Sequence, residues 1–178
     1  MASLVFCVSG VTPKAYEKAP WGPYGRLRAV HDDELNFSHF GICVLDLDRS
    51  LRFYCDGLGF EEAESHVIGT EFARLMDLED VSVTSQFIRR GATAIELLAF
   101  ADPSPVGDGT RRPVHRLGLT HLSFRVRDLE ATLQRLVELG GSVVDSSRTT
   151  IDLGGTPLRF VYCTDPDGVR VELMDLGG

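Results

Sequence analysis

The chain nearly repeats itself. The run Ser38-His39-Phe40-Gly41-Ile42-Cys43-Val44-Leu45-Asp46-Leu47-Asp48 is answered, at an offset of 82 residues, by Thr120-His121-Leu122-Ser123-Phe124-Arg125-Val126-Arg127-Asp128-Leu129-Glu130. Hydroxyl, imidazole, apolar, small, apolar, variable, Val, variable, Asp, Leu and acid recur in order. A repeat on this scale implies two copies of one supersecondary unit that share a core. The 178 residues therefore read as one paired domain and exclude a large multidomain assembly.

Each copy opens with alternating apolar and small or polar residues, the period-2 pattern of a strand with one buried face. A helix follows. In the first copy Leu47, Leu51, Tyr54 and Leu58 form its apolar stripe, behind Asp46 as N-cap and ahead of Gly59 as stop. In the second, Leu129, Leu133, Leu136 and Val137 do the same between Asp128 and Gly140-Gly141. Strands are predicted at 62–68, 81–89 and 93–100, then at 142–145, 158–163 and 169–174, so each half reads as βαβββ. The turn Asp165-Pro166-Asp167-Gly168 marks a hairpin, because Pro presets φ and Gly accepts the positive φ that closes it. Arg90-Gly91 serves the equivalent corner in the first half.

These boundaries divide the chain into an N-terminal extension at 1–35, a first module at 36–100, a linker at 101–117 and a second module at 118–178. Three prolines and two glycines between Ala101 and Pro113 suit a linker. The extension matches neither half and offers one candidate strand, Leu4 to Ser9. The expected fold class is α+β, two βαβββ modules forming a cupped, partly open mixed sheet with helices outside.

Strand alternation places Phe40, Ile42 and Val44 toward the helix, and His39, Gly41 and Cys43 on the opposite face. Leu122, Phe124 and Val126 stand in the same opposition to His121, Ser123 and Arg125. The last strand of each half carries an acid amid apolar neighbours, Glu96 in Ala94-Ile95-Glu96-Leu97-Leu98 and Glu172 in Arg170-Val171-Glu172-Leu173-Met174. Burying a carboxylate costs several kcal/mol unless it meets a cation or donors. Taken singly, a strand His is a hydrogen-bonded packing residue and a strand Glu faces water; the recurrence of both in both copies points to a shared role. Two neutral imidazoles and two carboxylates sum to −2, which one divalent cation neutralises, and N₂O₂ donors suit Zn, Ni, Fe(II), Mn or Co. His31, His66 and His115 lack the symmetry and are expected at the surface, in loops or at strand ends.

A net charge of −8 opposes attraction to nucleic acid or to anionic membrane surfaces. No run approaches the ~20 apolar residues of a membrane span, and Leu4 to Val8 lacks the basic flank of a secretory signal. A cytoplasmic protein is expected. Cys7, Cys43, Cys55 and Cys163 show no C-x-x-C spacing, which argues against a disulfide scaffold or a thiolate zinc site.

Over about residues 36 to 176 the chain resembles the vicinal-oxygen-chelate superfamily: glyoxalase I, methylmalonyl-CoA epimerase, extradiol dioxygenases, fosfomycin-resistance enzymes and bleomycin-resistance proteins. The resemblance rests on Ser38-His39 through Leu47, Phe53-Tyr54 with Leu58-Gly59-Phe60, Ile95-Glu96-Leu97-Leu98, Gly118-Leu119-Thr120-His121 through Leu129, and Asp165-Pro166-Asp167-Gly168 through Glu172. It implies one divalent metal held by His39, Glu96, His121 and Glu172, chelating a small-molecule substrate through vicinal oxygens. It further implies proton transfer next to a carbonyl, with Glu172 or Glu96 as base and Glu79 as a weaker candidate. By the same resemblance, two modules in one chain either close the site internally or exchange with a second chain, and a homodimer is the expectation.

The implied activity is thus a metal-dependent isomerase, epimerase or lyase. An Fe(II) extradiol-type dioxygenase is the alternative, because Tyr162 to Glu172 fits Y-x-x-D-P-x-G-x-x-x-E and would make Tyr162 catalytic. Leu153-Gly154-Gly155 stands where that branch carries a His, and Glu96 is a ligand its facial triad does not use. Tyr162 also reads simply as a packed strand residue. A non-catalytic drug-binding protein of the bleomycin-resistance type is the third reading, and the retained ligand set argues against it.

Overall fold

The structure is a computed structural model, and it describes residues 36–177. The candidate strand at Leu4 to Ser9, together with His31 and Cys7, lies outside the described residues. Two four-stranded mixed sheets form, each from one copy of the repeat. The first contains β1 (Phe40–Val44), β2 (Glu61–Ile68), β3 (Ser82–Arg90) and β4 (Thr93–Asp102), in spatial order β1-β4-β3-β2. The second contains β5 (Leu122–Arg125), β6 (Ser142–Leu153), β7 (Thr156–Thr164) and β8 (Arg170–Asp175), ordered β5-β8-β7-β6. In both, the first strand runs parallel to the last and the other three form an antiparallel meander. This is the paired α+β arrangement that the repeat demands.

The helix signals act as expected. Helix α1 (Leu47–Leu51) starts where the Asp46 carboxylate accepts from Arg49 N at 2.9 Å, and α2 (Leu129–Glu138) starts where Asp128 accepts from Ala131 N at 3.0 Å. Both caps satisfy a backbone donor that the first helical turn leaves open. Helix α1 then widens into a π-helical stretch, Arg52–Gly57, before Gly59 turns at φ +72°. Two consecutive aromatics explain the departure from regular helix: in this wider stretch both Phe53 and Tyr54 are fully buried.

Three further features depart from the sequence expectation. A 3-10 helix, Thr70–Met76, packs Ala73 against Val81 and Val83 in a small second core, and no periodic signal announced it. Strand β6 extends eight residues past Asp145 through a bulge between Val144 and Thr149. There Ser147 Oγ donates to Val144 O at 2.6 Å and accepts from Tyr162 N at 2.8 Å, so one hydroxyl covers the interrupted ladder. His66 lies within β2, exposed, and not in a loop.

The main core spans both modules, with Val44, Phe53, Tyr54, Ile88, Ile95 and Leu97 from one and Leu136, Val161, Val171 and Leu173 from the other. Residues at the helix-facing strand positions Ile42, Val44, Ile95 and Leu97 are buried, while Gly41 and Cys43 are exposed, which confirms the assigned faces. Two glycines allow close approach: a Cβ on Gly57 would lie 2.7 Å from Leu136 Cδ2, and one on Gly141 would lie 2.7 Å from both Phe53 Cε2 and Thr164 O.

Polar contacts also join the modules, and they centre on the Asp165-Pro166-Asp167-Gly168 turn. Gly168 takes φ +85°, and Asp165 Oδ1 accepts from Asp167 N and Val169 N at 2.9 and 2.8 Å. The other oxygen of Asp165 accepts from Tyr54 Oη at 2.9 Å. Asp167 accepts from Arg49 Nη2 at 2.5 Å and from Leu45 N at 3.0 Å. One turn of the second module thus holds both ends of the first module's helical segment.

Candidate functional site

The parallel register sets Gly41 opposite Glu96 and Ser123 opposite Glu172. His39 and His121, each at the entry to a first strand, point to the same face as these glutamates. His39 Nε2 lies 3.2 Å from Glu96 Oε2, and His121 Nε2 lies 3.6 Å from Glu172 Oε2. All four side chains are more than half buried yet reach solvent, with His39 33% and His121 27% exposed.

Each imidazole is held from behind. Ser38 Oγ lies 2.9 Å from His39 Nδ1, and Thr120 Oγ1 lies 2.9 Å from His121 Nδ1. The hydroxyl before each His thus turns Nε2 toward the carboxylate, the outer contact that commonly orients a ligating imidazole.

Each imidazole also meets an aromatic ring at a matching position. Phe87 lies across from Glu96 in the β3–β4 register and packs edge-on to His39 at 5.1 Å between centroids; Tyr162 lies across from Glu172 and meets His121 at 5.4 Å. Phe87 escaped the sequence reading because nothing but its offset from Glu96 distinguishes it. Its presence clarifies Tyr162: what recurs is the ring, and the hydroxyl is peculiar to the second half. Burial, then the Glu172 carboxylate, pushes the Tyr162 phenol above its ordinary pKa.

The donors to the glutamates do not recur at matching positions. Ser85 Oγ on β3 donates to Glu96 Oε1 at 2.5 Å, whereas Ser123 Oγ on β5 donates to Glu172 Oε2 at 2.7 Å. Glu96 has both oxygens engaged. Glu172 receives Ser123 and faces His121 through one oxygen, leaving Oε1 without a partner among the described residues.

The structure therefore brings the four expected residues together as two pairs. Each pair offers one nitrogen and one oxygen, a donor set suited to a borderline divalent cation. Among the described residues no three His, Cys, Asp or Glu side chains gather closely enough to hold a metal ion, so one chain does not assemble the four as a single ligand set. Glu79 is exposed in the loop ahead of β3, and His115 is exposed between β4 and β5. Cys43, Cys55 and Cys163 are free; Cys163 is buried, which pushes its thiol up to about 12, and Cys43 is exposed on the His39 face.

A cleft of about 310 Å³ opens beside His121, bounded by Gly41 and Cys43 of β1, by Arg112 and Arg116 from the segment before β5, and by Arg170 of β8. Among the described residues no helix is long and apolar enough to cross a membrane.

Residues 36–173 match the model of the Glyoxalase/Bleomycin resistance protein/Dioxygenase superfamily. The chain is 30% identical over 143 residues to an ethylmalonyl-CoA/methylmalonyl-CoA epimerase of Cereibacter sphaeroides, an alignment covering 76% of this chain and 94% of that protein. It is likewise 30% identical over 140 residues to a probable lactoylglutathione lyase of Synechocystis, covering 76% and 92%. A glyoxalase family protein from Bacillus cereus shares the fold with a TM-score of 0.69 at 24% identity, over 81% of this chain and 95% of that one. With the repeat, the paired sheets and these matches in agreement, the chain belongs to the Glyoxalase/Bleomycin resistance protein/Dioxygenase superfamily.

Proposed function

We propose that the protein is a divalent-metal-dependent isomerase, epimerase or lyase that moves a proton next to a carbonyl in a small molecule. The observation that carries this reading is the twice-built pair, in which a hydroxyl-held imidazole faces a strand glutamate at equivalent positions of the repeat. Relatives named as an epimerase and as a probable lyase support it.

Because each pair holds half of an N₂O₂ set, we place a complete site between two copies of the chain: His39 and Glu96 of one with His121 and Glu172 of the other. Rearrangement within one chain is opposed by the modules' shared core and by the buried Tyr54–Asp165 contact. A two-fold dimer satisfies both pairs of both copies at once and closes without leftover halves.

The bound cation would supply Lewis acidity to the substrate carbonyl. The chain's own contribution is the base. Glu172 is the better placed carboxylate, since Ser123 fixes Oε2 while Oε1 stays open to take a proton from carbon. The C–H electron pair then delocalises onto the carbonyl oxygen, and the proton returns from Glu172 or from a second group on the opposite side. Glu96, bonded through both oxygens, is better suited to holding than to moving a proton. Ring cleavage has less support: the 154–155 turn between β6 and β7 holds glycine where an imidazole would be needed.

The test is subunit mixing. His39→Ala/Glu96→Ala and His121→Ala/Glu172→Ala variants should each lose the divalent metal that the parent protein carries when purified without chelators. Mixed and allowed to exchange, they should regain about a quarter of the parent's capacity, because half of random dimers are mixed and each has one intact site of two. No recovery on mixing refutes the shared site, and a parent protein that binds no divalent metal refutes the reading altogether.

A further inference from the structure

The chain carries a net charge of −8, yet the cleft beside His121 is ringed by arginine. Arg170 is 5% exposed, donates Nη2 to Arg112 O at 2.6 Å and lies 4.9 Å over the Tyr162 ring. Among the described residues, none of Arg111, Arg112, Arg116 or Arg170 has a carboxylate within ion-pair distance; the arginines that do are Arg49, Arg89, Arg148 and Arg159. Among the described residues the one carboxylate on the cleft wall, Asp167, is committed to Arg49 and to Leu45 N.

A buried cation without a counter-charge is costly, and a carbonyl oxygen with an aromatic face compensates only part of that cost. None of the remaining Arg170 nitrogens is both sealed from solvent and unpartnered, so the missing counter-charge can reach it from the cleft. Arg112 and Arg116 stand at the mouth; Arg112 is steadied by Leu117 O at 3.0 Å, and the Arg116 side chain has no partner among the described residues.

We propose that this cleft seats an oxyanion of the ligand, a carboxylate or a phosphate, between Arg112, Arg116 and Arg170. Guanidinium forks match such groups in two-pronged fashion, which fixes orientation as well as charge. An anion anchored there sets the rest of the ligand beside His121, so the molecule turned over is an anionic one. This last step rests on the proposed function; the anion seat itself does not.

The experiment titrates inorganic phosphate and, separately, malonate into the full chain by calorimetry, both as purified and after chelator treatment. At least one probe should bind in the millimolar range or tighter. Arg112→Ala/Arg116→Ala should weaken it by at least about tenfold, with Arg148→Ala, a surface change far from the cleft, leaving it unchanged. Both arginines removed are exposed, so folding is retained, and equal thermal midpoints verify it. Binding of phosphate alone assigns a phosphate ester end, malonate alone a carboxylate end, and both a general oxyanion seat. If neither binds, or if the double variant binds as the parent does, or if Arg148→Ala weakens binding equally, the seat is refuted. Anion binding that survives in a protein without metal affinity leaves the seat standing and removes the metal reading alone.

Discussion

Replacing Tyr54 by Phe keeps a fully buried ring and its edge-on contacts to Phe53 and Phe60, and deletes only the hydroxyl that reaches Asp165 at 2.9 Å. Asp165 is 2% exposed and keeps two backbone donors, so the change removes one of three hydrogen bonds to a buried carboxylate. Hydrogen bonds to charged groups are worth about 1.5–3 kcal/mol, and the stranded oxygen is sealed where water cannot replace the donor. A loss of about 2 kcal/mol is expected, or about 4–8 °C in Tm for a protein of this size. Urea denaturation at neutral pH measures it. The pH dependence provides a second reading. Burial outweighs the three hydrogen bonds and raises the Asp165 pKa in the folded protein, so folded Asp165 binds more protons than unfolded, and its contribution falls as pH rises from about 4 through the raised value. Phe at position 54 raises that pKa further, so its penalty should grow with pH across this window and shrink in acid. A penalty under about 0.5 kcal/mol, or one that is flat with pH, would refute the assignment of this pair as a buried clamp between the modules.

Gly141→Ala forces a Cβ to within 2.7 Å of a ring carbon and a backbone oxygen, and should cost at least about 2 kcal/mol by denaturation. Gly91→Ala is the contrast: open space surrounds its Cβ and only φ +58° opposes it, so about 1 kcal/mol is expected by the same measurement. Asp128→Ala removes the α2 cap on Ala131 N and should cost about 1 kcal/mol with the metal capacity unchanged.

What was legible in the sequence was whatever rests on local periodicity or on the repeat. The strand faces of Ile42 and Val44, the caps at Asp46 and Asp128 and the positive-φ stops at Gly59 and Gly140 follow from short-range pattern, and the repeat singled out two His and two Glu, though not their pairing across the strands. The misses have long-range causes. Asp165 looked like a turn residue, and it is one, but its second oxygen is bound by a hydroxyl 111 residues earlier, which no local pattern encodes. The arginines of the segment before β5 lay in a stretch read as a linker, and only Arg170, across the fold, reveals that they face a cleft. The π-helical widening at Arg52–Gly57 likewise depends on a core large enough to take two adjacent rings.

The duplication also separates what the site requires from what it merely uses. His, Glu and an aromatic ring across from each Glu occur at matching places in both halves, so their geometry is fixed by the register of first, third and last strands. The hydroxyl that satisfies each glutamate is not fixed in this way. Gly41 stands where Ser123 donates, and Phe160 stands, two residues before the aromatic of its strand, where Ser85 donates. A strand carboxylate on this face needs a donor, and either neighbouring strand can deliver one because both lie within reach of its oxygens. The two halves solved that requirement from opposite sides. The consequence is geometric: Ser85 engages the Glu96 oxygen that faces away from the imidazole, while Ser123 shares the Glu172 oxygen that faces it, so of the four carboxylate oxygens Glu172 Oε1 alone is left without a partner among the described residues.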